Sequence, residues 1–286
     1  MSELVINTNK YVMDIKQQEE IRRRQKLKQQ QRQNVIKAQQ EQRKQKQIKA
    51  QQSRANVKNS ATKIDITPWK HFTEAYIVGG GPSLEHFRWE LLGPDKFVIG
   101  INTSYKVLPH AQITYFTDDD WYELHKKNGF LNHKSVKIKG SLNPNKLQND
   151  SHIYQYLLKG DNGLSTTPGV LHHGSNSPYA AVGMIIQWGF AKTIYLLGID
   201  MQHGRKNPSA KNKKQSHWHT GMRDIPQHRR IDSEGAFKGF IKKWGTIVPQ
   251  LKEMGVEVIN VNNSTALKAF PIKTYEEVFG PNCFKT

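Results

Sequence analysis

Residues 75 to 84 read AYIVGGGPSL, an apolar run that closes on three glycines, a proline and a serine. A buried strand that stops this abruptly delivers backbone N–H groups to whatever lies beyond its end. Glycines at 79, 80 and 81 remove the side chains that would hold a phosphate away from the backbone, Pro82 suits the first position of a helix, and Ser83 adds a hydroxyl in the first turn. The ligand expected of Gly79, Gly80, Gly81, Pro82 and Ser83 is a nucleotide phosphate. The turn is neither of two familiar glycine loops: no Lys follows, as it does in the ATP-binding P-loop, and the third glycine of GxGxxG is missing.

From residue 74 onward, apolar runs recur at Ala75–Val78, Phe97–Ile101, Ile113–Phe116, Val136–Ile138, Thr193–Leu197 and Val256–Val261, with amphipathic stretches between several of them. Strands alternating with helices make an α/β fold, with a mostly parallel, Rossmann-like sheet and helices on both faces. Such sheets bind ligands beyond the carboxyl ends of their strands, where the strand order reverses. The residues after each run therefore carry the information. The second run ends at Asn102, the third at Thr117 and Asp118, and the fifth at Gly198 and Asp200. Asn donates to and accepts from a ribose or phosphate, and Asp holds a hydroxyl; both also cap helices and form turns.

The segment HHGSNSPYAAVGMIIQWGFAKTIYLLGID, residues 172 to 200, adds a second helix start at the same rim. Ser175, Asn176 and Ser177 precede or enter a helix with Pro178 in its first turn, and small residues at 180, 181 and 183 permit close packing on the sheet before Gly189 ends it. The three polar residues are candidates to hold a base or phosphate.

The charge of +19 over 286 residues is unevenly spread. Residues 1 to 60 hold 15 Lys and Arg against 5 Asp and Glu, interleaved with glutamine, and their sparse apolar residues keep no steady heptad. We read residues 1–65 as a basic arm, helical or disordered, with the catalytic domain over 66–286. An arm of this kind suits nucleic acid or another acidic partner through phosphate neutralisation, or acts as a spacer. Cys283 is the single cysteine, which excludes a disulfide framework and a cysteine zinc site. No charged-then-apolar leader or membrane-length apolar stretch is present, so a cytoplasmic protein without a membrane span is expected.

A long basic loop, residues 201–230, follows the fifth run and reads as a lid. It carries His203, His217, His219 and His228, and the HWH pair at i and i+2 does not make a zinc pattern. Arg223, Arg229 and Arg230 are candidates for phosphate contacts, and Trp218 for stacking on a sugar or base or for anchoring the loop.

The order of GGGPSL, an Asn after the second strand, a TD-W element after the third, the GS-rich start leading to IYLLGID, and the late NVNNSTALKAFP resembles the bacterial family 42 sialyltransferases and the related motility-accessory-factor glycosyltransferases. The resemblance spans roughly residues 74 to 271. It implies the GT-A variant of the Rossmann-like fold and transfer of a sugar from a CMP- or UDP-linked donor to a hydroxyl of a glycan, a protein or modified nucleic acid. It also implies no resident cofactor or metal. By position it places Gly80 to Ser83 on the donor phosphate, Asn102 on the nucleotide, Ser175 to Ser177 on the base, Asn262 and Ser264 along the same cleft, and His228 as general base. Asp118 stands where the sialyltransferases favour Asn, and Gln202 where they have a tyrosine. The same GGGPSL and GID framework is shared with archaeal hydroxymethylpterin pyrophosphokinases, which would use ATP and magnesium through Asp118, Asp119, Asp120 and Asp200. A third reading is a non-catalytic nucleic-acid-binding or structural protein on this fold.

Overall fold

The structure is a computed structural model that describes residues 23, 24, 26, 27, 29–45, 64–143, 152–204, 217, 218 and 234–285. The chain divides into two compact units, Met1–Gln52 and Ser53–Thr286. In the first unit residues 29–45 are helical and fully exposed, with Gln45 Nε2 donating to Glu41 Oε1 at 3.4 Å. In the second, Ile64 belongs to the main apolar cluster, and Ile66, Trp69 and Phe72 pack against it.

The strands are β1 (Glu74–Val78), β2 (Val98–Ile101), β3 (Ile113–Phe116), β4 (Val136–Ser141), β5 (Ile153–Leu158), β6 (Val170–Leu171), β7 (Thr193–Leu197), β8 (Glu257–Val261) and β9 (Ile272–Lys273). They form one parallel sheet in the order β6-β5-β4-β3-β2-β1-β7-β8-β9. The chain walks outward from β1 to β6, then returns to the far side of β1 as β7. The order therefore reverses between β1 and β7, where Tyr76 pairs with Tyr195 and Val78 with Leu197.

Both faces of the central strands are buried, and their side chains alternate between two apolar layers. Ala75, Ile77, Ile99, Ile113, Ile194 and Leu196 enter one cluster, while Tyr76, Val78, Val98, Leu197 and Ile259 enter the other. The first layer is covered by the helix Ser177–Trp188, whose Tyr179, Ala180, Ala181, Val182 and Met184 are all inaccessible, and by Trp244 and Leu251 from the helices Glu234–Gly245 and Val248–Glu253. Gly189 ends the first of these at φ 70°, a left-handed C-cap. The second face is covered by short 3₁₀ turns, by the C-terminal helix Tyr275–Phe279 and, beyond β2, by the helix Asp119–Lys126, which seats Trp121 and Tyr122 against Phe116 and Phe130. Among the described residues no helix is long and apolar enough to cross a membrane.

One local expectation is corrected. No α-helix follows the glycine turn: Pro82–Leu84 is a single 3₁₀ turn, stopped by Glu85 in extended backbone at φ −60°, ψ 128° and by His86 at φ 64°. Pro82 therefore starts one turn, too short to carry a helix dipole toward a phosphate.

Candidate functional site

At the β1/β7 junction the glycine turn is tied to β7 amide by amide. Gly79 N donates to Leu197 O and Gly81 N to Gly198 O, both at 2.8 Å. Ser83 N donates to Asp200 Oδ2 at 2.8 Å, and the Ser83 hydroxyl donates to Asp200 Oδ1 at 2.6 Å. Among the described residues, Gly80 N is the one amide of Gly79–Gly81 and Ser83 that no described group accepts. The close approach explains two of the glycines. A Cβ on Gly79 would lie 2.4 Å from Ile199 Cδ1 and 2.7 Å from Gly198 O, and one on Gly81 would lie 2.4 Å from Asp200 Oδ1 and 2.6 Å from Gly198 O.

Asp200 is 4% exposed, and burial raises its pKa against the lowering pull of hydrogen bonds from Ser83 and Asn262. Asn262 Nδ2 donates to Asp200 Oδ1 at 2.6 Å and to Ser83 Oγ at 3.1 Å, while its Oδ1 accepts from Ser264 N at 2.7 Å. Because the Ser83 proton points at Asp200, the Tyr275 hydroxyl, 3.0 Å away, donates to Ser83 Oγ and accepts from Gly198 N at 3.1 Å. Gln202 Nε2 closes the outer edge on Ser264 O at 3.1 Å and Ser264 Oγ at 3.0 Å. Above the turn, Trp218 N donates to Gly80 O at 2.9 Å and its ring packs 5.1 Å from that of Trp89, contacts that suit the anchoring role.

The neighbouring strand ends are less settled. Asn102 follows β2 in the left-handed region at φ 51°, and its Oδ1 is buried with no hydrogen-bond partner among the described residues. Ser104, in the same 3₁₀ turn, donates to Gly79 O at 3.0 Å and so sets Asn102 beside the glycine turn. After β3, Thr117 Oγ1 lies 3.1 Å from Ser177 Oγ, which joins the β3 end to the start of the Ser177–Trp188 helix. Asp118 is the N-cap of the helix Asp119–Lys126 and accepts from Trp121 N at 3.0 Å. Asp119 pairs with Lys139. The acidic run is therefore built into a helix start, and among the described residues no group of three His, Cys, Asp or Glu is placed to hold a metal ion.

Asn176, rather than Ser175 or Ser177, caps the Ser177–Trp188 helix, accepting from Tyr179 N at 3.1 Å. Ser175 is left-handed at φ 59° and faces the loop after β5, where its Oγ is 3.4 Å from Asp161 Oδ1. Asp161 also receives His173 Nε2 at 2.8 Å and Lys243 Nζ at 2.7 Å. The Lys243 hydrogen bond is the main cause that lowers the Asp161 pKa. Burial lowers that of His173, assisted by Lys243 and His172 and opposed by Asp161.

No family model matches the sequence, and no curated protein matches it at significant similarity. Solved structures do resemble it. The sialyltransferase CstII from Campylobacter jejuni, in complex with the substrate analogue cytidine 5'-monophosphate, is 14% identical over 76% of this chain and 88% of its own, with a TM-score of 0.39. The monofunctional alpha-2,3-sialyltransferase Cst-I from the same organism is 14% identical over 71% and 81%, with a TM-score of 0.43. The MAf glycosyltransferase from Magnetospirillum magneticum is 12% identical over 70% of this chain and 33% of its own, with a TM-score of 0.48. These belong to the two groups that the sequence motifs resemble.

The fold thus brings Gly79, Gly80, Gly81, Pro82, Ser83, Asp200, Asn262 and Ser264 together at the switch point, with Asn102 alongside through Ser104. Ser177 meets the β3 end near Asp118, while Ser175 turns toward Asp161. His228, Arg223, Arg229 and Arg230 lie outside the described residues, as does most of the loop 201–230. Sequence reasoning did not find Tyr275, which sits 192 residues from Ser83 in a short C-terminal helix. It also missed Asp161 and Lys243, because β5 and β6 were not recognised. The signal for Asp161 was present: KGDNG after an apolar YLL is one more strand end followed by Gly and Asp.

Proposed function

We infer that this chain is a nucleotide-sugar-dependent glycosyltransferase acting on an acceptor hydroxyl. The observation that carries the reading is the backbone of the carboxyl rim. Four non-glycine residues hold positive φ among the described ones, and three of them, Asn102, Ser175 and Met201, follow strand ends on that rim. Left-handed backbone costs an ordinary residue about 1 kcal/mol or more, and it gathers where a ligand is positioned. Asn102 adds a buried amide oxygen with its hydrogen-bonding capacity open, suited to a donor on a nucleotide. The order of motifs along the chain supports a sugar donor linked to CMP or UDP.

In this reading the nucleotide lies across the ends of β1, β2 and β3, between Asn102 and the Ser177 helix start. Gly80 N–H and the lid arginines Arg223, Arg229 and Arg230 stabilise charge on the departing phosphate, and a histidine takes the acceptor proton. By resemblance that histidine is His228. Water exclusion falls to the loop anchored at Trp218.

Calorimetric titration of the full-length chain tests this. The account expects CMP, CDP or UDP to bind without added divalent metal, and the corresponding sugar nucleotide to be consumed when acceptors are supplied. Binding of ATP only with magnesium supports a pyrophosphokinase instead, and binding of nucleic acid alone supports a non-catalytic protein.

A further inference from the structure

Residues 29–45 form an exposed helix that the proposed transfer reaction does not use, and its cations recur at helical spacing. Arg32 and Arg43 are eleven residues apart, about three turns at 3.6 residues per turn, so they share one side of the helix. Lys37 and Lys44 are seven apart, about two turns, and share a second side roughly 140° round from the first. Gln29, Gln33 and Gln40, spaced by four and seven residues, lie on the arc between those two sides. The helix holds one acid, Glu41, to which Gln45 Nε2 donates, and Glu41 falls outside that arc. In the sequence, residues 22 to 50 carry eleven Lys and Arg against this single acid, and no aromatic residue.

A polyanion is the complementary partner, and the pattern selects among polyanions. An interfacial membrane helix needs an apolar face to bury among acyl chains. None is built here: the exposed Val35 and Ile36 are consecutive, so they stand about 100° apart, and Ile36 falls beside Arg32 and Arg43. Single-stranded nucleic acid is held by bases stacked on aromatic rings, which this stretch lacks. Two cationic sides on one rod match instead a groove with a phosphate strand along each wall. A helix about 10 to 12 Å across fits the major groove of duplex DNA, about 12 Å wide, whereas that of duplex RNA is too narrow to admit it.

We propose that the helix 29–45 lies in the major groove of duplex DNA, with Arg32 and Arg43 on one phosphate strand, Lys37 and Lys44 on the other, and Gln29, Gln33 and Gln40 over base edges. The phosphate contacts supply most of the affinity, and the glutamine amides donate to and accept from the bases. Every described side chain of this helix is exposed, so packing adds little to its stability and the bound phosphates raise its helicity. The proposal does not rest on the transferase reading.

The test titrates the full-length chain with a mixed-sequence DNA duplex of about 20 base pairs at several salt concentrations. The variant R32Q/K37Q/R43Q/K44Q should bind about tenfold or more weakly, with a log–log salt slope shallower by about 3 to 4. A control with the same loss of charge on the second unit, K70Q/K127Q/K252Q/K285Q, should stay within about threefold of wild type, because salt screens those exposed lysines from a duplex held elsewhere. Q29A/Q33A/Q40A should weaken binding and leave the slope unchanged. Circular dichroism should show helicity rising when duplex is added to wild type, and all three variants should keep the wild-type thermal midpoint. Equal losses in the two charge variants, or wild-type affinity and slope in the first, overturn the proposal and leave the arm a spacer. Single-stranded DNA, duplex RNA of the same sequence or phosphatidylserine vesicles that compete as well as the DNA duplex also overturn it, and so does unaltered affinity in Q29A/Q33A/Q40A, which takes the groove out of the account.

Discussion

Two stretches of the same rim, a few residues apart in space, use their polar groups differently. At the β1/β7 junction Asp200, Ser83, Asn262 and Tyr275 satisfy one another, and the amides of Gly79, Gly81 and Ser83 point into the protein. At the ends of β2 and β6, Asn102 and Ser175 hold left-handed backbone, and Asn102 buries an oxygen that meets no described donor. The first region is saturated, and in the second Asn102 keeps a buried oxygen that no described donor meets. The difference teaches that a glycine-rich turn at a switch point can be an architectural joint: its glycines admit a neighbouring strand end, and in the proposed function the ligand contacts fall to the strand ends beside it. Gly80 is the exception within the turn.

The largest effect expected from this contrast is on folding. Gly81→Val drives a branched side chain into Asp200 and Gly198 O, with contacts of the order of 2.5 Å that backbone cannot relieve, and should destabilise the domain by about 3 kcal/mol or more. Gly80→Ala should leave the thermal midpoint near wild type while weakening nucleotide binding. If the two variants melt alike, the joint and the ligand-facing position are not separable.

Asp200→Asn comes next. The carboxylate accepts three hydrogen bonds, from Ser83 N, the Ser83 hydroxyl and Asn262, and an amide NH₂ must face one of these donors, at a cost of about 1 to 3 kcal/mol. The pH dependence has a definite sign. Burial raises the native pKa of Asp200, so the folded state holds the proton longer than the unfolded one. Its contribution to stability is greatest below the ordinary carboxylate value, about 3.9, and declines as pH rises through the raised native value. Denaturant titrations at several pH values should show that decline in wild type and its loss in the variant.

Asn102→Gly should be nearly silent in stability, within about 1 kcal/mol, because glycine adopts φ 51° freely and no described hydrogen bond of the Asn102 side-chain oxygen is lost. Its dissociation constant for the nucleotide should rise about tenfold or more. Smallest of all is Gln202→Ala, which removes two hydrogen bonds to Ser264 in an exposed setting and should shift stability by about 0.5 kcal/mol or less.

Much of the architecture is legible from the sequence because both faces of the central strands are buried, which leaves continuous apolar runs at β1, β2, β3, β7 and β8. The rest is hidden for specific reasons. In β5 the buried Gln155 interrupts the apolar pattern IYQYLL, and β6 and β9 are each two residues long, too short to show a period. The site residues after the recognised strands, Asn102, Thr117, Asp118 and Asp200, are readable by position. Their roles are not. Asp200 and Asn262 read as ligand contacts until their hydrogen bonds to Ser83 are seen, and Tyr275 could be placed only by folding the C terminus back under Gly198.

Parallel titration of Asn102→Gly and Asp200→Asn with the nucleotide that wild type binds, each alongside its own melting curve, tests the contrast most directly. The account predicts crossed outcomes: Asn102→Gly keeps wild-type stability and loses about tenfold or more in affinity, while Asp200→Asn loses stability and, at a temperature where it remains folded, binds within about threefold of wild type. The reverse pattern, with folded Asp200→Asn failing to bind and Asn102→Gly binding normally, would put the ligand on the glycine turn and contradict the account.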